Sequence, residues 1–148
     1  MRAVLQRVRS ARVSVGNEET GVIGAGLLVL AGAAAGDGND DVAWVARKIL
    51  SLRVFADAAG KMNLTVRDVG GSVLLVSQFT LCADLSRGNR PSFGGALDPA
   101  GAQVLLEALA DALKETVPVA TGRFGASMLV ELANEGPVTL WLDSRAKT

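Results

Sequence analysis

Apolar and polar residues alternate near the start of the chain as a half-buried strand requires, with Ala11, Val13 and Val15 set against Arg12 and Ser14. The wider segment from Arg2 to Val15 is β-branched and basic, and predicts two short strands or one bent strand with a bulge or turn near Ser10. Gly16-Asn17-Glu18-Glu19 then turns the chain into a hairpin with residues 20–23. Gly24 and Gly26 mark a bend, after which Leu27-Leu28-Val29-Leu30-Ala31 has no polar face and reads as a strand buried on both sides. The period changes at Val42, Val45, Ala46 and Ile49, which recur at helical spacing. Asp40 and Asp41 precede that stripe and Arg47-Lys48 follow it, each sign at the end a helix dipole favours. Leu52 to Phe55 reads as a strand, Asp57 to Gly60 as a turn, and Val73 to Ser77 as a second wholly apolar strand. Residues 82–97 show no period. Asp98-Pro99 has the chemistry of a helix start, with Leu105, Leu109, Ala112 and Leu113 as its buried stripe and Pro118 as its stop. Met128 to Leu132 and Val138 to Leu142 read as strands flanking Asn134-Glu135-Gly136-Pro137. The pattern is α+β, with mostly antiparallel strands and two principal helices in one domain over residues 1–148, of which 144–148 is expected to be a loose tail.

Composition narrows the chemistry. At 148 residues the chain suits one core rather than two. The 15 basic and 15 acidic residues cancel, so only a local basic surface could favour a polyanion. Arg2, Arg7, Arg9 and Arg12 all precede the first acid, and Arg87, Arg90 and Arg123 lie in loop-like segments. Cys82 is the single cysteine and there is no histidine. That removes disulfides, Ser-His and Cys-His nucleophile pairs and the usual zinc-ligand sets, so neither a metal nor a cofactor is expected. Charged residues interrupt the opening segment and no apolar run approaches the ~20 residues of a membrane helix, so a cytoplasmic protein without membrane contact is expected.

Ser77-Gln78-Phe79-Thr80 is an unusual way for an apolar strand to end. Two readings are open: its hydroxyls simply satisfy backbone in a turn, or the strand end presents N–H groups and short polar side chains to an oxyanion or carbonyl. Thr80 as a nucleophile would need a base, and no histidine exists to serve. Asn134-Glu135-Gly136-Pro137 reads as a β-turn, with a cis Gly136-Pro137 bond as the alternative. Arg87 to Phe93 and Thr121 to Phe124 each combine arginine, phenylalanine and small residues, a set able to hold phosphate and stack a base. Met62 and Met128 read first as core filler.

Seven blocks in order, Gln6-Arg7-Val8, Gly60 to Leu64, Gly70 to Val73, Ser77 to Leu81, Arg90 to Phe93, Thr121 to Phe124 and Gly136 to Thr139, closely resemble the bacterial D-aminoacyl-tRNA deacylase family. The resemblance runs from Met1 to about Asp143. It implies hydrolysis of the ester between a D-amino acid, or glycine, and the terminal ribose of tRNA. It also implies a homodimer with active sites at the subunit interface. Ser77, Gln78, Phe79 and Thr80 would then line the aminoacyl pocket. Gly136 and Pro137, in a cis linkage held by Arg7, would reach into the partner's pocket and select chirality through backbone carbonyls. Phe124 and Gly125 would lie at the terminal adenine, with Phe79 and Met128 shaping the wall.

The absent histidine fits such a reaction, because an aminoacyl ester is already activated and its ribose supplies a neighbouring hydroxyl. Two roles for Thr80 remain open, direct attack or positioning of substrate, and the missing base favours the second. The alternative function is a non-catalytic nucleic-acid-binding module using the N-terminal and loop arginines. A general small-molecule esterase is disfavoured by the lack of a nucleophile-base pair.

Overall fold

The computed structural model describes residues 1–147. In chain order its elements are β1 (Arg2–Val15), β2 (Glu18–Ile23), β3 (Gly26–Gly32), α1 (Asn39–Ser51), β4 (Phe55–Ala56), β5 (Met62–Leu64), β6 (Ser72–Ser77), α2 (Pro99–Lys114), β7 (Val119–Thr121) and β8 (Leu129–Asp143). A short 3-10 turn, Phe79–Cys82, follows β6.

The basic opening segment is one long strand because it has partners along both edges. On one edge β1 pairs antiparallel with β2 and then with β3, Ala11 opposite Ile23 and Leu5 opposite Val29. On the other it pairs antiparallel with β8, Leu5 opposite Leu140 and Val13 opposite Val130. The expected irregularity is present as slips in the β8 register around Val8 and in the β2 register after Val13. Strand β6 lies parallel to both β3 and β7, and α1 and α2 make the two crossovers that parallel pairing demands. The remaining pairings are antiparallel, including the small β4–β5 ribbon.

Both faces of β3 and β6 are covered, which explains why neither strand alternates in the sequence. Leu27, Val29, Ala31, Val73 and Leu75 face a core shared with α1 and α2. Leu28, Leu74 and Val76 face a second cluster with Val8, Ala11, Val13 and Ile23. The sheet curls to close that second core. At Gly21 of β2 an added Cβ would sit 2.6 Å from the Thr121 carbonyl oxygen of β7, so this approach admits glycine alone.

The helices follow their stripes. Val42, Val45, Ala46 and Ile49 are buried on α1, and Asp98 accepts from the Gly101 N–H at 2.9 Å as the N-cap of α2. Three expectations are corrected. Leu52 to Phe55 is not a strand: the Leu52 N–H closes α1 by donating to the Lys48 carbonyl, and only Phe55–Ala56 pairs onward. The segments either side of residues 134–137 form a single element, β8, since both pair with the same continuous strand β1. The start of the supposed tail is anchored. Ser144 is buried, and its hydroxyl donates to Asp41 at 2.6 Å and accepts from the Met1 ammonium. The buried Asp37 carboxylate, 2.7 Å from that ammonium and 2.9 Å from Arg145, explains the anchoring, because a carboxylate out of water must be met by cations and donors. Thr148 of the expected tail lies outside the described residues. Among those residues no helix is long and apolar enough to cross a membrane.

Candidate active site

Strand β6 carries the core outward and stops abruptly. Val73 to Val76 are buried, Ser77 is half-buried, and the chain then leaves the sheet in the Phe79–Cys82 turn. Backbone bonds fix this exit: the Gln78 N–H donates to Ala31 at 2.7 Å and the Leu81 N–H donates back to Gln78 at 3.2 Å. The crossing depends on Gly32, where a Cβ would come within 2.5 Å of the Gln78 carbonyl oxygen. Among the described residues the N–H groups of Phe79 and Thr80, at the open start of the turn, have no backbone acceptor.

Ser77, Gln78 and Phe79 thereby border a cleft of about 620 Å³, whose lining also includes Phe93, Phe124, Gly125 and Met128. Small residues, Gly32, Ala33, Ala96 and Ala102, leave the space open. Phe79 is 56% exposed and meets Phe93 edge to face, with ring centroids 5.0 Å apart. Thr80 is exposed just outside this lining, where its hydroxyl accepts from the Gln78 amide at 2.5 Å. No carboxylate or amine is hydrogen-bonded to Thr80 among the described residues. Cys82 is buried beneath the same turn, and burial pushes its thiol pKa up. A side groove shares Ser77 and Phe124 with the cleft and runs along Gln103, Glu107, Asp111 and Lys114 of α2.

Arg7, Gly136 and Pro137 do not line the cleft of their own chain. They form a second constellation, where β8 carries four residues, 135–138, between Asn134 opposite Val8 and Thr139 opposite Gln6. The excess forms a bulged loop opposite Arg7, with Gly136 and Pro137 exposed and Val138 turned into the core, and its Gly136-Pro137 peptide is cis. Arg7 is largely buried and spans the base of this loop, its Nε donating to the Glu135 carbonyl at 3.1 Å and its Nη1 to the Val54 carbonyl at 2.5 Å. Asn134 closes the loop from the other side, donating to the carbonyls of Arg7 at 3.0 Å and Val138 at 3.1 Å. The sequence pattern marks Asn134 only as a turn residue and gives no signal that Leu97 and Val130 border the cleft. An Asx residue opening a Gly-Pro turn was the available signal for the first; the cleft contribution of the others depends on long-range folding.

A family profile described as D-Tyr-tRNA(Tyr) deacylase matches residues 4–143. The chain belongs to this family. It is 52% identical over 149 aligned residues to a protein of Chlorobaculum tepidum named D-aminoacyl-tRNA deacylase, covering 99% of each chain. It is 55% identical to an Anaeromyxobacter dehalogenans protein of the same name, covering 98% of each. Among solved structures it is similar to one described as c-Myc DNA unwinding element binding protein, with a TM-score of 0.92 and 39% identity over 97% of this chain and 98% of that one. The two-core, two-helix architecture above is therefore that of the D-Tyr-tRNA(Tyr) deacylase family.

Proposed function

We propose that the protein hydrolyses the ester joining a D-amino acid, or glycine, to the terminal ribose of tRNA, in the cytoplasm where translation supplies that substrate. The observation that carries this reading is the cleft. It is walled by Phe79, Phe93 and Phe124 and polar at one strand end, and its one lining carboxylate among the described residues, Asp98, is engaged in capping α2. Such a site suits a substrate that is already activated and brings its own hydroxyl. Water adds to the ester carbonyl and the N–H groups of Phe79 and Thr80 receive the developing oxyanion. The ribose 2′-hydroxyl relays the water's proton to the departing 3′-oxygen. Ser77, Gln78 and Thr80 position the aminoacyl group, while Phe124, Gly125 and Met128 receive the terminal adenosine.

Chirality is selected across a homodimer. Gly136 and Pro137 are exposed and do not line their own cleft, which suits insertion into a second copy, where their carbonyls would accept from the α-ammonium. An L side chain would strike them, so L-aminoacyl esters are excluded by clash and D side chains are tolerated broadly. β8 offers the docking surface: among the described residues it pairs with β1 alone, and it exposes Leu129, Leu132 and Trp141. A long strand with a free edge is an unusual thing to leave uncovered.

The test is to incubate the protein with D-tyrosyl-tRNA and L-tyrosyl-tRNA and follow ester loss. Selective release of D-tyrosine is expected. An intact D-ester, alongside a folded dimer, sinks the proposal. The similarity to a structure described as a DNA-binding protein favours a second reading, a nucleic-acid-binding module without catalysis. That reading predicts salt-sensitive binding to RNA or DNA with no ester loss.

A further inference from the structure

Two segments of the chain combine arginine with phenylalanine, and the structure separates them. In the Thr121 to Phe124 segment, Arg123 is neutralised by Glu18, Nη2 to Oε2 2.8 Å. The other segment folds as a small hairpin closed by reciprocal backbone bonds between Asp84 and Ser92, at 2.7 and 3.0 Å. Its tip carries Arg87 and Arg90, both exposed and neither in an ion pair with any described residue. The one acid of the hairpin, Asp84, instead accepts from the Ser86 N–H at 2.9 Å. By contrast Arg9 and Arg12 are paired with Glu135 and Glu131. Arg47 and Arg67 are also without ion pairs among the described residues, but they sit on segments that do not line the cleft.

The hairpin's position gives those two free cations a meaning. Phe93, directly after the closing residue Ser92, is the cleft wall that packs on Phe79. At ~3.4 Å per residue, the Arg90 Cα lies within about 10 Å of that of Phe93, and the guanidinium extends the reach further. We propose that the 84–92 hairpin is a phosphate-binding clamp for an RNA strand. Arg87 and Arg90 contact the phosphates immediately 5′ of the nucleoside held in the cleft. This deepens the hydrolase reading above and rests on it. The two guanidiniums recognise backbone rather than bases, so the contact is indifferent to sequence. The net charge of the chain is zero, and the hairpin concentrates positive charge beside the mouth where a polyanion would enter.

The test compares the wild type with R87A/R90A and R87K/R90K in the full chain, using uncharged tRNA and fluorescence anisotropy across a salt series. Removing two phosphate contacts from a single strand should flatten the slope of log K against log salt by about 1.4 and weaken binding near 0.1 M salt on the order of tenfold. The lysine pair should keep most of the slope. A second arm uses D-tyrosyl-adenosine, an ester with no phosphate, whose hydrolysis by the alanine pair should stay within about twofold of wild type. An unchanged tRNA salt slope overturns the clamp, and so does an equal loss on D-tyrosyl-adenosine, which would place the effect in Phe93 packing. Because anisotropy reads binding alone, a wild type that binds tRNA through these arginines yet leaves D-esters intact would refute the hydrolase reading and not the clamp.

Discussion

Thr80 carries a hydroxyl that nothing beside it can deprotonate; its hydrogen-bonding neighbour is the Gln78 amide. A positioning role therefore predicts that Thr80→Ala loses one neutral hydrogen bond. That is worth about 1 kcal/mol, or a fall of roughly five- to tenfold in single-turnover rate on D-tyrosyl-tRNA. A drop to background with substrate binding unchanged would instead identify a covalent nucleophile. Asp41 carries a different expectation. Burial pushes its carboxyl up, but hydrogen bonds from Ser144 and the Gly38 N–H, with the Met1 ammonium and Arg145 nearby, outweigh burial and hold it below its usual range. The folded state thus binds this proton less readily than the unfolded state. The stabilisation is present above the unfolded value of about 3.9 and lost as pH falls through the lower folded value. Urea midpoints of wild type and Asp41→Asn should differ at pH 7 and converge as pH drops below about 4. A gap that stays constant with pH would show that the carboxyl does not titrate as described.

Helices were the most legible elements, because period and end charges agree at α1, and period and N-cap agree at α2. Val42, Val45, Ala46 and Ile49 are buried as their spacing requires, and Asp98 caps where Asp98-Pro99 predicts. The stripe of α2 was read too narrowly, since Ala102, Leu106 and Ala110 are also buried. Strands were legible as apolar runs but their extents were not. β8 looked like two strands because its polar interruption is a loop set into a continuous pairing, and only β1 reveals that continuity. For the site, the strand end at Ser77 was visible as a local oddity. Its union with Phe124 and Met128 in one cleft is made by β6 and β7 pairing, which no local pattern encodes. The 135–138 loop makes its own prediction. A Cβ at Gly136 would meet the Asn134 side-chain oxygen at 3.1 Å, so Gly136→Ala presses on the side chain that closes the loop and asks it to give by a few tenths of an ångström. The ratio of D- to L-tyrosyl-tRNA hydrolysis should fall, or activity should be lost with the pocket. Full activity at an unchanged ratio would count against a selector role for this loop.

The proposed homodimer, docked through β8, would make activity inseparable from assembly. Leu132 is 39% exposed on that strand, and Leu132→Glu should split the copies in light scattering and abolish D-tyrosyl-tRNA hydrolysis together. A monomer that retains full activity would show that each cleft is complete within one chain. The anchoring of Ser144 was not legible for a related reason: Ser144 to Thr148 looks like any polar chain end. Only the assembled fold brings Asp37 and Asp41 to it.

The pairing of β1 with β8 has a temporal consequence. Arg2 lies opposite Asp143 and Ser14 opposite Leu129, so β1 waits for a strand made much later along the chain. During synthesis β1 can join β2 and β3 at once, yet its other edge stays unprotected until β8 has been made. Contacts of such long sequence separation slow folding and leave a sticky edge in the interim. A protein proposed to guard the fidelity of translation would thus depend on the ribosome delivering β8 before the open edge of β1 is safe.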